Sequence, residues 1–384
     1  MSRTTSALSR FASIWIPSRN MASVKRASSR GGLSIAIAVA LIVGLSSAVE
    51  AQTAEPQHDE PLPGSRPEVV AHAFGSVDFL ASHPVETPSS FALGQLSLFV
   101  TSALNDRFSV LAELVVEASA GDTRVLTNVE RLQLTYRLND HLALSAGRYH
   151  TGIGYYNAAF HHGSYFETVI GRPRIFAFEH DGGVLPDHEV GLSARGTVPK
   201  TGSMLRYVAE VGNGRRWVDT NDGVELDQNQ AKSTNVGLAL RPDSWRGLEV
   251  GGSFYRDDIP TSPDHAIGQR IAAAFGVYRT PSTEVMAEWL QLSYRQENGA
   301  RYQSRGGYVQ ASRAFGKLRP YYRYDRLDIP ANTPFIGSFG SSEFNIFGVR
   351  LDPADWVGLK TQYERRHENG GRFNVAHVQL VFVF

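Results

Sequence analysis

The sequence predicts an all-β fold, a transmembrane antiparallel β-barrel of about sixteen strands, on three observations. From Val69 onward apolar and polar residues alternate with a period of two in segments of about ten residues, and no long stretch shows a helical apolar period. The links between these segments alternate between short turn formers and longer polar or glycine-rich runs. The N-terminus carries the pattern of an export signal. A soluble sandwich or propeller would share the first property, but it has no reason to gather its short turns at one end. An outer-membrane barrel does, with short periplasmic turns, longer outer loops, an even strand number and an apolar band facing lipid.

The chain opens with residues 1–51, which hold six basic residues and one acid around the apolar core LSIAIAVALIVGL at 33–45. That core falls short of the roughly 18 apolar residues a spanning helix needs and suits a signal-peptide core. Val49-Glu50-Ala51 puts small residues at the two positions a signal peptidase reads, so cleavage is expected before Gln52. Met21 followed by Lys25 and Arg26 offers a second start for the same signal. Residues 52–68, rich in proline and acids and without apolar period, read as a flexible lead-in to a barrel over 69–384. The chain has zero formal charge and no cysteine, so bulk charge indicates no nucleic-acid partner and an exported form needs no disulfides.

Within 69–384 the alternating segments fall at 69–80, 91–103, 106–118, 124–137, 140–149, 187–198, 203–212, 232–241, 246–256, 268–279, 283–295, 304–315, 317–326, 343–352, 355–366 and 373–384. In the third, Phe108, Val110, Ala112, Leu114 and Val116 share a face opposite Ser109, Glu113 and Glu117. The fourth repeats the design, with Leu132, Leu134 and Tyr136 opposed to Arg131, Gln133, Thr135 and Arg137. In the thirteenth, Tyr322 and Tyr324 oppose Arg319, Tyr321, Arg323 and Asp325. The last places Ala376, Val378, Leu380, Phe382 and Phe384 on one face and His377 and Gln379 on the other. Short links carry Asn105-Asp106, Asn139-Asp140, Pro242-Asp243, Gly316-Lys317 and similar turn formers. Longer ones cover 81–90, 150–186, 213–231, 257–267, 327–342 and 367–372.

A final strand of alternate apolar residues ending in Phe384 resembles the signal by which outer-membrane barrels are passed to their assembly machinery. The whole mature chain resembles sixteen-stranded Gram-negative porins, and GRYHTGIGYYN followed by GRPRIFAFEHDGGVLP is similar to a group placed near the phosphate-selective porins. The resemblance implies a passive channel in the cell outer membrane, surrounded by lipid, assembled as a homotrimer and open to small hydrophilic or charged solutes. It also implies that the third outer loop, here 150–186, folds into the barrel and narrows it. No individual phosphate-binding residue can be matched.

Candidate constriction residues on that loop are His161, His162, Glu167, Arg172 and Arg174, with Glu179, His180 and Asp181. The facing wall would come from Glu113 and Glu117, Arg131 and Arg137, Arg206 and Glu210, Arg319, Arg323 and Asp325, and Lys360, Glu364 and Arg366. Such charges are expensive against lipid at mid-depth, so alternation turns them inward. Opposed acidic and basic strips would orient charged or dipolar solutes, with the sign of selectivity left open. Charge pairing among these side chains could equally serve only to pin the loop.

Three other functions compete. His150, His161, His162, His180 and His188 suggest a metal, but no HExxH or paired Cys/His spacing occurs, and no metal or cofactor is expected. An outer-membrane hydrolase would need a nucleophile and base at the rim, and there is no GxSxG elbow, so the chain is read as no enzyme. A plugged structural or adhesion barrel stays open. Histidines in a constriction would also permit a pH-dependent gate.

Overall fold

The computed structural model describes residues 68–83, 89–118, 125–160, 163–178, 183–215, 231–262, 265–368 and 370–384. Alternating side chains of the kind found in the sequence form sixteen strands: β1 (Glu68–His83), β2 (Ser90–Ala103), β3 (Phe108–Ala118), β4 (Val125–Asn139), β5 (Leu142–His150), β6 (His188–Lys200), β7 (Ser203–Gly212), β8 (Ser233–Pro242), β9 (Leu248–Ser262), β10 (His265–Arg279), β11 (Thr283–Arg295), β12 (Arg301–Arg313), β13 (Leu318–Asp328), β14 (Ser342–Ala354), β15 (Val357–Glu368) and β16 (Gly371–Val383). Each pairs antiparallel with its neighbour in sequence, and β1 pairs with β16 to close the barrel. Closure leaves no unpaired edge, which a wall in hydrocarbon requires. The last rung belongs to the C-terminus itself: Ala73 N–H donates to the Phe384 carbonyl at 2.9 Å and Phe384 N–H returns to Ala73 at 3.0 Å. The signal-peptide and lead-in readings, 1–51 and 52–68, lie outside the described residues apart from Glu68.

Register decides which face each residue takes. On β3 and β4, Val110, Ala112 and Leu114 stand beside Leu134, Leu132 and Val129 on the outer face, while Glu113 stands beside Arg131 on the inner one. The same outer surface continues through Leu192 on β6, Val211 on β7, Val236 and Leu238 on β8 and Phe254 on β9, all exposed. An exposed apolar wall of this extent is what lipid covers, and on a water-facing surface it would drive aggregation. Exposed Trp245, Phe315, Trp356 and Phe384 mark the end with the short turns, where ring-bearing side chains suit the membrane–water boundary.

The short links hold their expected places at 104–107, 140–141, 201–202, 243–247, 280–282, 314–317 and 355–356. The opposite end differs from the sequence reading. Links expected at 257–267 and 367–372 shrink to 263–264 and 369–370, because β9, β10, β15 and β16 continue as paired strands beyond the apolar band. Polar residues on the outer face of these extensions, such as Asp258, His367 and Arg372, hide them from a search for apolar alternation. The links 151–187, 213–232 and 329–341 stay long.

Candidate functional site

The longest link, 151–187, leaves β5 at His150 and re-enters β6 at His188, which is His150's direct register partner. Within it lie a short helix α1 (Tyr156–Ala159) and a single 3-10 turn at Arg174–Phe176. Gly154 adopts φ of 72°, a left-handed conformation that glycine enters without a steric cost. A Cβ there would lie 2.5 Å from Glu288 Oε2. This turn aims two successive N–H groups at one carboxylate: Tyr155 donates to Glu288 Oε2 at 2.6 Å and Tyr156 to Oε1 at 2.8 Å, with the Tyr308 hydroxyl adding a third donor at 2.8 Å.

Side chains from half the barrel hold the rest of the link by its backbone. Gly152 N–H donates to Glu210 of β7 at 2.8 Å and Gly154 N–H to Ser253 of β9 at 3.1 Å. Arg323 of β13 donates to the carbonyls of Gly171 (2.8 Å) and Arg172 (3.0 Å). Arg350 of β14 reaches the carbonyls of Tyr165 (2.6 Å) and Glu167 (2.9 Å), and Lys360 of β15 that of Ser164 at 2.5 Å. Gln362 accepts from Ile170 N–H at 3.0 Å and donates to its carbonyl at 3.1 Å, a side chain imitating a strand neighbour. Between these anchors Ile153, Tyr156, Ile175 and Phe176 bury themselves against Tyr255, Ile271, Leu290 and Tyr308 on the inner face of β9–β12.

Beneath the link, toward the short-turn end, the inner wall is layered by charge. Arg195 meets Glu210 at 2.7 Å, and the arginine side chain is 42% exposed while the glutamate is 1% exposed. Arg206 (36% exposed) and Arg241 (46%) share Glu249 (6%) at 3.0 and 2.7 Å. Arg279 and Glu284 repeat the arrangement at 3.1 Å, 43% against 6%. The short carboxylates lie against the wall and the long guanidinium heads extend beyond them, so the accessible charge along β6–β10 is positive. Arg137, Arg195 and Arg206 line one cavity of about 470 Å³ together with Gly152 and Gly154 of the link.

The residues singled out in the sequence separate into three groups. Glu113 and Arg131 face each other at 2.7 Å on the inner wall, Glu117 accepts from Gln95 at 3.0 Å, Arg137 lines the cavity, and Arg319 donates to the Pro281 carbonyl at 3.0 Å. Arg172, Arg174, Arg323 and Glu167 are instead spent on structure. Arg323 is buried, paired with Asp325 at 3.0 Å and committed to link carbonyls. Arg172 donates to the carbonyls of Phe160 and Phe176 and to Asn157, so it ties the link to itself. Arg174 opens the 3-10 turn packed on β12 and β13. Glu167 is buried, and burial pushes its carboxyl up against the pull of Lys360, Arg172 and Arg323. His161, His162, Glu179, His180 and Asp181 lie outside the described residues.

His150 and His188 meet edge to face at 5.1 Å, with His188 Nε2 2.5 Å from Glu130. Among the described residues no group of three or more His, Asp or Glu is placed to hold a metal ion. Sequence reasoning did not name Arg195, Arg241, Arg279, Glu249, Glu288, Arg350 or Gln362. All sit on the inward parity of their own strands, so alternation applied to every strand would have shown them facing in, though not what they hold.

No protein-family model and no curated protein sequence matches the chain. Its fold is that of sixteen-stranded outer-membrane porins. It is similar to the anion-selective porin from Comamonas acidovorans (TM-score 0.58, 10% identity, 83% of this chain and 100% of that one). It is also similar to the outer membrane channel DcaP of Acinetobacter baumannii (0.54, 11%, 84% and 100%). The trimer form of OmpT, an outer membrane protein of Vibrio cholerae, matches at 0.55 and 10%, over 83% and 100%.

Proposed function

We propose that this barrel is an outer-membrane porin, a water-filled channel for passive diffusion of small hydrophilic solutes, with link 151–187 in the lumen as its constriction and with a preference for anions. The observation that carries this reading is the layered wall: exposed guanidinium heads of Arg195, Arg206, Arg241 and Arg279 above buried Glu210, Glu249 and Glu284. A solute meets the outer layer of charge, and in a confined passage of low dielectric walls that layer sets the local ion concentration. The link supports the same reading through its backbone bonds to inward-facing side chains from β7 round to β15. Export through the signal peptide and assembly as a trimer belong to the same proposal.

A second reading has its own observation. The apolar packing of Ile153, Ile175 and Phe176 on the inner face of β9–β12 is the kind of seal a plugged barrel would use. Incorporation of the purified barrel into a planar bilayer separates the two. Discrete current steps are expected of the porin, whereas a folded barrel that stays electrically silent would favour the plug and overturn the channel.

A further inference from the structure

The extensions of β9–β12 beyond the apolar band carry an outward-facing array of arginines that neither the barrel's closure nor the proposed channel uses. Read across the outer face, one rung is Asp258, Gly268, Arg295 and Arg301, and the rung next to it is Arg256, Arg270, Ser293 and Gln303. The rung below these two is Phe254, Ala272, Gln291 and Arg305, so the apolar wall begins there on β9 and β10 and one rung further down, at Trp289, on β11. Arg256 therefore stands directly opposite Arg270, and Arg295 directly opposite Arg301. Like charges in such positions destabilise a sheet unless something neutralises them.

Among the described residues nothing sufficient does so. Arg256 has Asp258 at 3.8 Å, and Glu297 at the rim is taken by His265 at 2.6 Å. Among the described residues Arg270, Arg295 and Arg301 have no carboxylate within 4 Å. All four arginines line one groove of about 590 Å³. The outer positions of β6 and β7 at the same end, Val190, Leu192 and Val211, carry no charge. A cationic groove whose lower arginines, Arg256 and Arg270, stand one rung above Phe254 and whose upper ones, Arg295 and Arg301, stand three rungs above Trp289 lies, on a face turned to lipid, at the depth of headgroups. Guanidinium forks match phosphate oxygens in pairs.

We propose that this groove binds the phosphate groups of anionic lipid in the leaflet around the barrel, anchoring a headgroup between Arg256 and Arg270 on one side and Arg295 and Arg301 on the other. Acyl chains would then run down over Phe254 and Trp289. The proposal needs the barrel to sit in a membrane with phosphate-bearing lipid at its long-link end. It does not need the barrel to conduct, so lipid binding by a silent barrel would leave it standing.

The test is native mass spectrometry of the mature barrel mixed with diphosphoryl lipid A, with the same lipid after removal of both phosphates, and with competing inorganic phosphate. The parent is expected to retain the diphosphorylated lipid. An Arg270→Ala, Arg295→Ala double variant is expected to retain it at least about tenfold less, the loss expected from charge-assisted hydrogen bonds. The dephosphorylated lipid should bind the parent as weakly. Both side chains are exposed, and heat-dependent gel mobility verifies that the variant is folded. If it is not, Arg270→Gln and Arg301→Gln singly give the same reading. Equal retention by the variants or of the dephosphorylated lipid would overturn the proposal, as would displacement by millimolar inorganic phosphate, which would make this a free-phosphate site.

Discussion

At the scale of single residues, alternation is enough to assign inward and outward faces but not to say which end of an ion pair meets water. Glu113, Arg131, Arg206 and Glu210 all face inward as their parity requires. That Glu210 is covered while Arg195 projects depends on side-chain length and on Gly152 N–H arriving from a link far away in sequence. Glu167 shows the same limit, because it is a plausible solvent-facing acid in sequence and a buried one in the fold. Its carboxyl is raised above 4.5, with burial the largest cause, so the folded chain holds this proton more tightly than the unfolded one. The ionised group therefore costs stability once pH rises past 4.5, and that cost is absent below it. Glu167→Gln is expected to raise the urea midpoint at neutral pH and to have little effect near pH 4. A variant weakened at neutral pH but not near pH 4 would show that attraction to Lys360 outweighs burial.

The elements themselves are largely legible, and the departures have physical causes. All sixteen alternating segments became strands, and the short links stayed where turn-forming residues put them. The extensions of β9, β15 and β16 escaped detection because their outer faces carry Asp258, His367 and Arg372 where the rest of the barrel carries leucine and valine. Link 151–187 was recognisable as unusual from its glycines and rings, yet its anchors were not, since each lies on a strand remote in sequence. Glu288 is the anchor on which its first turn depends. Glu288→Ala would strand the N–H groups of Tyr155 and Tyr156 and the Tyr308 hydroxyl, at roughly 1–3 kcal/mol for each donor left buried without a partner. The expected result is a lower unfolding midpoint, together with new tryptic cleavage after Arg174 in a barrel that still migrates as folded. A variant that is less stable but remains resistant to cleavage would place the role of Glu288 in the wall and not in the link.

For the whole molecule, a period of two and an asymmetry of links carried most of the architecture, because a closed barrel in lipid leaves few ways to satisfy backbone and side chains together. The sign of the interior was not legible in the same way. Opposed strips of both charges are present in the sequence, and only the depth at which each lies leaves the accessible charge over β6–β10 positive. The measurement that tests this most directly is the zero-current potential of the barrel in a planar bilayer under a tenfold potassium chloride gradient. The layered wall predicts a potential of the sign set by chloride passing more readily than potassium, moving toward or past zero when Arg195, Arg206 and Arg241 are replaced together by glutamine. A potential of the opposite sign, or one that those replacements leave unchanged, would contradict it.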